Sequence, residues 1–172
     1  MKKFRIEIKW ALIFTAAILI WMVAERLLGL HDEHIAEHAF YTNFFAIVAI
    51  SIYLLALYDK RKSYYHGFMS WKQGFISGLI LTLIIAILTP LTQLVISLWI
   101  APDYFGNMIE YAVRTGESSR QEAEAYFSLG NYIVQSTVFA AISGIVTAAI
   151  AALIMKRRDR SIPSKSADLT GI

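Results

Sequence analysis

An uncharged stretch of 27 residues, 74–100, constrains the fold of this 172-residue chain more than any other feature. It contains no Asp, Glu, Lys or Arg, and its hydrophilic residues are only Ser, Thr and Gln. An α-helix rises 1.5 Å per residue, so about 20 apolar residues cross a hydrocarbon core about 30 Å thick. The stretch therefore predicts a transmembrane helix with a tilt or a kink, and Pro90 gives the kink a cause.

Small and polar residues of this stretch fall within an arc of roughly 140° on a helical wheel. They are Gly74, Gly78, Thr82, Ala86, Thr89, Gln93 and Ser97. Small residues let neighbouring helices approach closely, and hydroxyl or amide groups bond across such an interface. The last apolar stretch carries a similar face, with Ser136, Ala140, Ser143, Gly144, Thr147 and Ala151. We expect these two helices to pack together, and contact with another protomer is the alternative.

The polar members of the first stripe allow a second interpretation. They are Thr82, Thr89, Gln93 and Ser97. A proline break within a span frees carbonyl groups that can bind an ion or a small solute. Neither stretch contains a charged residue, four helices are few for a carrier, and the two halves of the chain show no repeat. Helix packing is therefore the leading interpretation of this polar stripe, and a solute pathway is the alternative.

Four apolar stretches predict transmembrane spans at residues 10–30, 39–58, 74–100 and 132–155. Hydrophobic residues make up 57% of the chain, which is more than an ordinary soluble domain contains. The basic start before the first span suggests a signal peptide, but the apolar run continues to Leu30 without a cleavage site. We therefore expect an all-α polytopic membrane protein with an uncleaved first helix.

The segments between and after the spans are short. Residues 101–131 predict an external helical cap, in which Asp103 caps one helix and Ser119 with Glu122 forms a capping box for a second. Residues 1–158 would then form the four-helix transmembrane domain. The polar composition of residues 159–172 predicts a disordered cytoplasmic tail.

Lys and Arg residues divide unequally between the two ends of the predicted bundle. Thirteen of the 16 belong to the N-terminal segment, the loop between the second and third spans, or the C-terminal tail. Arg114 and Arg120 lie on the opposite side, with Arg26 at its border. Short cytoplasmic loops carry an excess of basic residues, so we expect both termini to be cytoplasmic. This topology accounts for the net charge of +3, and we expect no nucleic-acid partner.

Residues 31–38 read HDEHIAEH and hold the one constellation that suggests metal chemistry. If the segment is helical, His31, His34 and His38 share a face about 60° wide. Three imidazoles together with Glu37, Glu33 or water would complete a tetrahedral zinc site. The pattern is not HExxH, because Glu37 precedes the second His of the i, i+4 pair. A histidine pH switch and a solvated hydrophilic turn are the alternatives.

Glu25 interrupts the first span about 22 Å beyond Trp10, in the far third of the hydrocarbon core. A carboxylate at that depth must find a partner, reach the interface or become protonated, so this intramembrane acid is a functional candidate. It would also be available as a base if a metal site were catalytic. The simpler interpretation places Glu25 at the headgroup boundary, where Arg26 can extend outward.

The chain has no cysteine, which excludes disulfides, thiolate catalysis and cysteine-ligated metal sites. It also lacks a GxGxxG loop, a P-loop and a GxSxG elbow. We therefore expect that the protein is not an enzyme and that zinc at the histidines is its one possible cofactor. The leading interpretation is a structural or accessory component that contacts the lipid bilayer and either itself or another membrane protein. A small-solute or ion transport component and a His-dependent metal sensor or membrane enzyme are the alternatives.

An ordered set of segments along the chain resembles the bacterial family called domain of unknown function 4199. The segments are WMVAERLLGLHDEH (residues 21–34), YTNFFAI (41–47), WKQGFISG (71–78), TPLTQ (89–93), APDYF (101–105) and QEAEAYF (121–127). The resemblance covers almost the whole chain before the basic tail. It implies a four-span protein of the bacterial cytoplasmic membrane, and it implies no activity, cofactor or catalytic residue.

Overall fold

The computed structural model describes residues 4–157, and within that range every regular element is a helix. The α-helices are α1 (Arg5–Leu27), α2 (His38–Thr42), α3 (Phe45–Ser63), α4 (Trp71–Val95), α5 (Tyr104–Arg114), α6 (Arg120–Tyr126) and α7 (Leu129–Met155). A 3-10 turn at Ile35–Glu37 precedes α2, and a π-helical turn at Ile96–Ile100 extends α4. The predicted tail at residues 159–172 lies outside the described residues, as do five of the counted basic residues, Lys2, Lys3, Arg158, Arg160 and Lys165.

Four helical segments are long and apolar enough to cross a membrane. They are Arg5–Leu27, Ile35–Ser63, Trp71–Ile100 and Leu129–Met155. Large apolar side chains cover their outer surfaces, and Leu27 and Phe139 are 81% and 73% exposed. Such surface is stable in lipid but not in water. The predicted fold class is confirmed: the chain is an all-α polytopic membrane protein.

The α4 helix packs most extensively against α7, as the two small-residue faces predict. A Cβ atom added to Gly78 would lie 2.5 Å from Ala148 Cβ, and one added to Gly144 would lie 2.5 Å from Thr82 Cγ2. Real Cβ atoms do not approach other atoms so closely, so glycine permits this contact between the helices. The helix passes through Pro90 without interruption and changes to the π-helical turn only after Val95.

One end of the bundle, here called the basic end, gathers the start of α1, the loop between α3 and α4, and the end of α7. Backbone hydrogen bonds of 3.0 and 2.8 Å join Met69 to Arg157 across this end. The α3 helix extends to Ser63, beyond the end of the predicted span at residue 58. The charged residues of this extension have partners at the basic end. Lys60 lies 2.9 Å from the Glu7 carboxylate, and Arg61 donates to the Met155 carbonyl.

The opposite end, here called the cap end, holds residues 28–44 and 101–128. Ser119 and Glu122 form the predicted capping box of α6. Asp103 precedes α5 but its side chain makes no capping hydrogen bond, so the prediction of a side-chain cap at this position was wrong. The second span was predicted as one helix from residue 39, whereas the structure divides it into α2 and α3 with a break at residues 43–44.

Candidate metal centre

The cap end brings Glu25 and His31 together through a reversal of the chain after α1. Gly29 has a φ of +71°, a left-handed conformation that glycine adopts without steric cost. The His34 N–H then donates to the Gly29 carbonyl at 2.8 Å, and the Leu30 N–H donates to the Glu25 carbonyl at 3.0 Å. A Cβ on Gly29 would also lie 2.9 Å from His34 Nδ1. Glycine at this position therefore shapes the turn that carries His31 back over the end of α1.

Glu25, His31 and His38 form a buried cluster, here called the Glu-His-His centre. One ligand atom from each side chain lies within 4.8 Å of the other two. Oxygen Oε2 of Glu25 is 3.3 Å from His31 Nε2 and 3.7 Å from His38 Nδ1. The side chains of Glu25 and His31 are 2% and 4% exposed, and that of His38 is 13% exposed. Two imidazoles and a carboxylate are ligands that zinc and similar divalent metals accept.

Two ring nitrogens in this centre are buried without a hydrogen-bond partner among the described residues. They are Nδ1 of His31 and Nδ1 of His38. Buried polar atoms in proteins are nearly always paired, so each exception calls for an explanation. A lone pair on an imidazole nitrogen can be satisfied by a metal ion instead of a hydrogen-bond donor. Nδ1 of His38 is the unpartnered nitrogen that faces Glu25, whereas His31 faces the carboxylate through Nε2, which shares a hydrogen bond of 3.3 Å with Oε2.

Neighbouring side chains fix the orientation of these groups. The indole N–H of Trp21 donates to Glu25 Oε1 at 2.6 Å, which leaves Oε2 for the histidines. The Asn107 side chain donates to the His31 carbonyl at 2.8 Å. In metal sites, hydrogen bonds of this kind orient the side chains that bind the ion.

The Tyr104 ring packs against both imidazoles, with centroid distances of 5.2 Å to His31 and 5.1 Å to His38. Its hydroxyl group lies 3.3 Å from that of Tyr132 on α7. Burial raises the pKa of the Tyr104 phenol far above its usual range, so the ring remains neutral. Tyr104 thus links the Glu-His-His centre to helix α5 of the cap.

The structure separates the residues of the predicted zinc site, His31, His34, His38 and Glu37. Residues 31–38 are turns followed by a 3-10 segment, so the three histidines do not share the face of one α-helix. His34 and Glu37 are exposed and lie outside the cluster, whereas Glu25 joins His31 and His38. Trp21 was overlooked although it precedes Glu25 by one helical turn, a spacing visible in the sequence. The contributions of Tyr104 and Asn107 carry no comparable signal, because they come from a distant helix.

The polar stripe of α4 meets a cavity of about 400 Å³ that lies between α1, α3, α4 and α7. Thr89 and Gln93 line the cavity, and Gln93 donates to the Ser97 hydroxyl at 3.1 Å. Thr82 lies at its basic end, buried, and accepts a hydrogen bond from Tyr53. The Trp21 ring also lines the cavity, so the indole lies between this space and Glu25.

A family model described as Protein of unknown function (DUF4199) matches residues 9–157. The chain belongs to this family. The DUF4199 match extends over the four candidate spans and includes all three residues of the Glu-His-His centre. The family description assigns no function, and neither curated proteins nor solved structures gave a match.

Proposed function

We propose that this protein is a metal-responsive accessory component of the bacterial cytoplasmic membrane. In this proposal Glu25, His31 and His38 bind one divalent transition metal ion, zinc above all. The supporting observation is the approach of three ligand atoms within 4.8 Å in a buried cluster, in which Nδ1 of His38 faces Glu25 without a hydrogen-bond partner among the described residues. Zinc accepts imidazole nitrogen and carboxylate oxygen at about 2.0 to 2.2 Å, so small side-chain movements would complete the site.

The number of ligands leaves one coordination position of the metal open. Structural zinc sites use four protein ligands, whereas three protein ligands leave a fourth position for water or another small ligand. The Glu25 carboxylate would neutralise part of the metal charge, which offsets the cost of placing an ion in a buried site. The proposal assigns no reaction to the centre, because all three clustered side chains serve as ligands.

The contacts between the Glu-His-His centre and α5 support the proposed accessory role. Two residues of α5 contact His31. Tyr104 packs against its ring, and Asn107 donates to its carbonyl group. Metal binding would therefore fix α5 against the end of α1 and set the surface that the cap presents. We propose that a second copy or another membrane protein recognises this surface, while the apolar helix faces contact the lipid bilayer.

The distribution of basic residues gives the proposed orientation. Eight described Lys and Arg residues lie at the basic end, namely Arg5, Lys9, Lys60, Arg61, Lys62, Lys72, Lys156 and Arg157. Three described residues, Arg26, Arg114 and Arg120, lie at the cap end. Because membrane proteins carry an excess of basic residues on the cytoplasmic side, this distribution supports a topology with both termini inside and the Glu-His-His centre outside.

The proposal is tested by purifying the full chain without a His tag in mild detergent, adding zinc and measuring bound metal by elemental mass spectrometry after gel filtration. We expect one zinc ion per chain in the wild-type protein and in the His34→Ala control, which removes an exposed histidine. We expect the His31→Ala, His38→Ala double variant to retain none. Absence of zinc from the wild-type protein, or its retention by the double variant, would contradict the proposal.

Transport of a small solute has weaker support. Tyr53 and Gly144 form part of the cavity wall. Tyr53 donates to Thr82 at 2.8 Å, and both of these side chains lie close to Gly144. A solute that followed the α4 stripe would have to separate these groups. The transport alternative predicts that Gln93→Leu abolishes flux in liposomes without unfolding the protein, and unchanged flux would count against it.

A further inference from the structure

The cavity beside α4 has an exposed, lipid-facing side between α3 and α7. Three residues of its lining, Ala46 and Ile50 of α3 and Phe139 of α7, are exposed and lie near the middle of their spans. At that depth the surrounding medium is the hydrocarbon interior of the bilayer. The volume of about 400 Å³ lies within the range of small-molecule binding pockets. A ligand that enters here therefore comes from the membrane and brings an apolar chain.

Several polar groups of the cavity donate their hydroxyl proton to the protein. Hydroxyl groups on α4 and α7 donate to carbonyls of their own helices, as seen for Thr89, Thr92, Ser136 and Ser143. The Thr82 hydroxyl donates to the Gly78 carbonyl, so Tyr53 must donate its proton to Thr82. A hydroxyl group has one proton and two lone pairs, so each of these oxygens still has acceptor capacity. These oxygens therefore present hydrogen-bond acceptors to the cavity.

Gln93 offers an amide carbonyl that is half-buried, whereas Asn43, the other amide of the lining, is exposed. Its side-chain N–H donates to the Ser97 hydroxyl, and its carbonyl oxygen accepts no hydrogen bond from the described residues. The described lining residues include no Asp, Glu, Lys, Arg or His. A phosphate or carboxylate head would thus find no cation in the cavity, and its desolvation would not be compensated. A neutral head that donates a hydrogen bond matches the lining.

We infer that this cavity binds a neutral single-chain lipid with a hydroxyl head. The hydroxyl donates to the Gln93 side-chain carbonyl, and the chain leaves through the opening between α3 and α7. None of the three proposed metal ligands lines the cavity, and Trp21, which donates to Glu25, is the residue that the two sites share.

The inference is tested by native mass spectrometry of the full chain with oleyl alcohol, with its methyl ether, or with phosphatidylglycerol. The ether keeps the chain but lacks the donor. One hydrogen bond contributes about 0.5 to 1.5 kcal/mol, so the wild-type protein should bind the alcohol roughly two- to twelvefold more tightly than the ether. The Gln93→Leu variant should lose this preference. Equal binding of alcohol and ether by the wild-type protein, or preferred binding of phosphatidylglycerol, would overturn the inference.

Two further variants locate the bound lipid. Ala140→Phe places a large ring in the cavity and should abolish binding of oleyl alcohol. Ile142→Phe is the matched control, because Ile142 lies on the same helix but is 60% exposed and outside the lining. Ala46→Phe, at the opening on α3, gives a second block if Ala140→Phe does not fold. Undiminished alcohol binding in a folded blocking variant would place the lipid elsewhere and overturn the inference.

Discussion

The indole nitrogen of Trp21 lies 2.6 Å from Oε1 of Glu25, one helical turn later in α1. The same indole lines the intramembrane cavity. This hydrogen bond holds one carboxylate oxygen and leaves the other facing His31 and His38. Trp21 is therefore a positioning residue for the proposed metal centre.

Replacement of Trp21 should weaken metal binding without removing a ligand. Loss of a group that orients a metal ligand typically lowers metal affinity about 10- to 100-fold. We expect Trp21→Phe to lower zinc affinity by that factor in a competition titration against a chromophoric chelator. Trp99→Phe is the control, because the Trp99 side chain is exposed and lies outside the centre. Equal zinc affinities in the two variants would exclude the positioning role.

The turn after α1 gives a second test. Gly29 and Gly116 have similar φ values, +71° and +73°, so alanine strains the backbone at either position by about 1 kcal/mol. Only at Gly29 would the new Cβ meet neighbours, and only this turn carries a ligand of the centre. We expect Gly29→Ala to lose zinc binding in the same titration and Gly116→Ala to retain it. If both variants bind zinc equally, the turn does not set the geometry of the centre.

Two glycine substitutions should have opposite effects on stability, one in the contact between α4 and α7 and one on the open side of α5. Gly78→Ala would force its Cβ against Ala148 and should destabilise the protein by about 1–3 kcal/mol. Gly106 lies within helix α5 with no atom within 4 Å of its added Cβ, so Gly106→Ala should stabilise that helix by up to about 1 kcal/mol. Thermal denaturation in detergent measures both. A Gly78→Ala variant as stable as the wild-type protein would contradict the packing described for these helices.

The basic end holds a buried ion pair, and removing either member would leave the other charge buried without its partner. Lys60 lies 2.9 Å from Glu7 Oε1, and Ser77 donates to the same oxygen at 2.6 Å. Removing one member of a buried pair typically costs about 3–5 kcal/mol, so Glu7→Gln should lower the thermal stability strongly. Lys9→Gln is the control, because Lys9 is 52% exposed in its pair with Asp59 and such pairs contribute about 0–1 kcal/mol. Similar melting temperatures for the two variants would argue against the buried pair.

The sequence allows the architecture to be predicted because its strongest signals are local. The length of each uncharged, apolar stretch identifies the spans. The helical spacing of small residues around Gly78 in α4 and around Gly144 in α7 identifies the faces that meet. The capping box at Ser119 is likewise a pattern within four residues. None of these inferences requires knowledge of contacts between distant residues.

The candidate centre could be predicted only in part. Helical periodicity groups His31 with His34, but the backbone leaves the helical path after Leu27 and reverses at Gly29. This reversal exposes His34 and brings His31 back to Glu25, a residue of the preceding helix. The burial of Glu7 against Lys60 and Ser77 also depends on three separate helices, which periodicity does not relate.

X-ray absorption spectroscopy of the zinc-loaded protein is the most direct test of the proposed centre. The absorption fine structure should show a first shell of nitrogen and oxygen at about 2.0–2.2 Å, with the outer-shell scattering of two imidazole rings. The His34→Ala control should give the same spectrum. A first shell of oxygen alone, without imidazole scattering, would contradict the assignment of His31 and His38 as ligands.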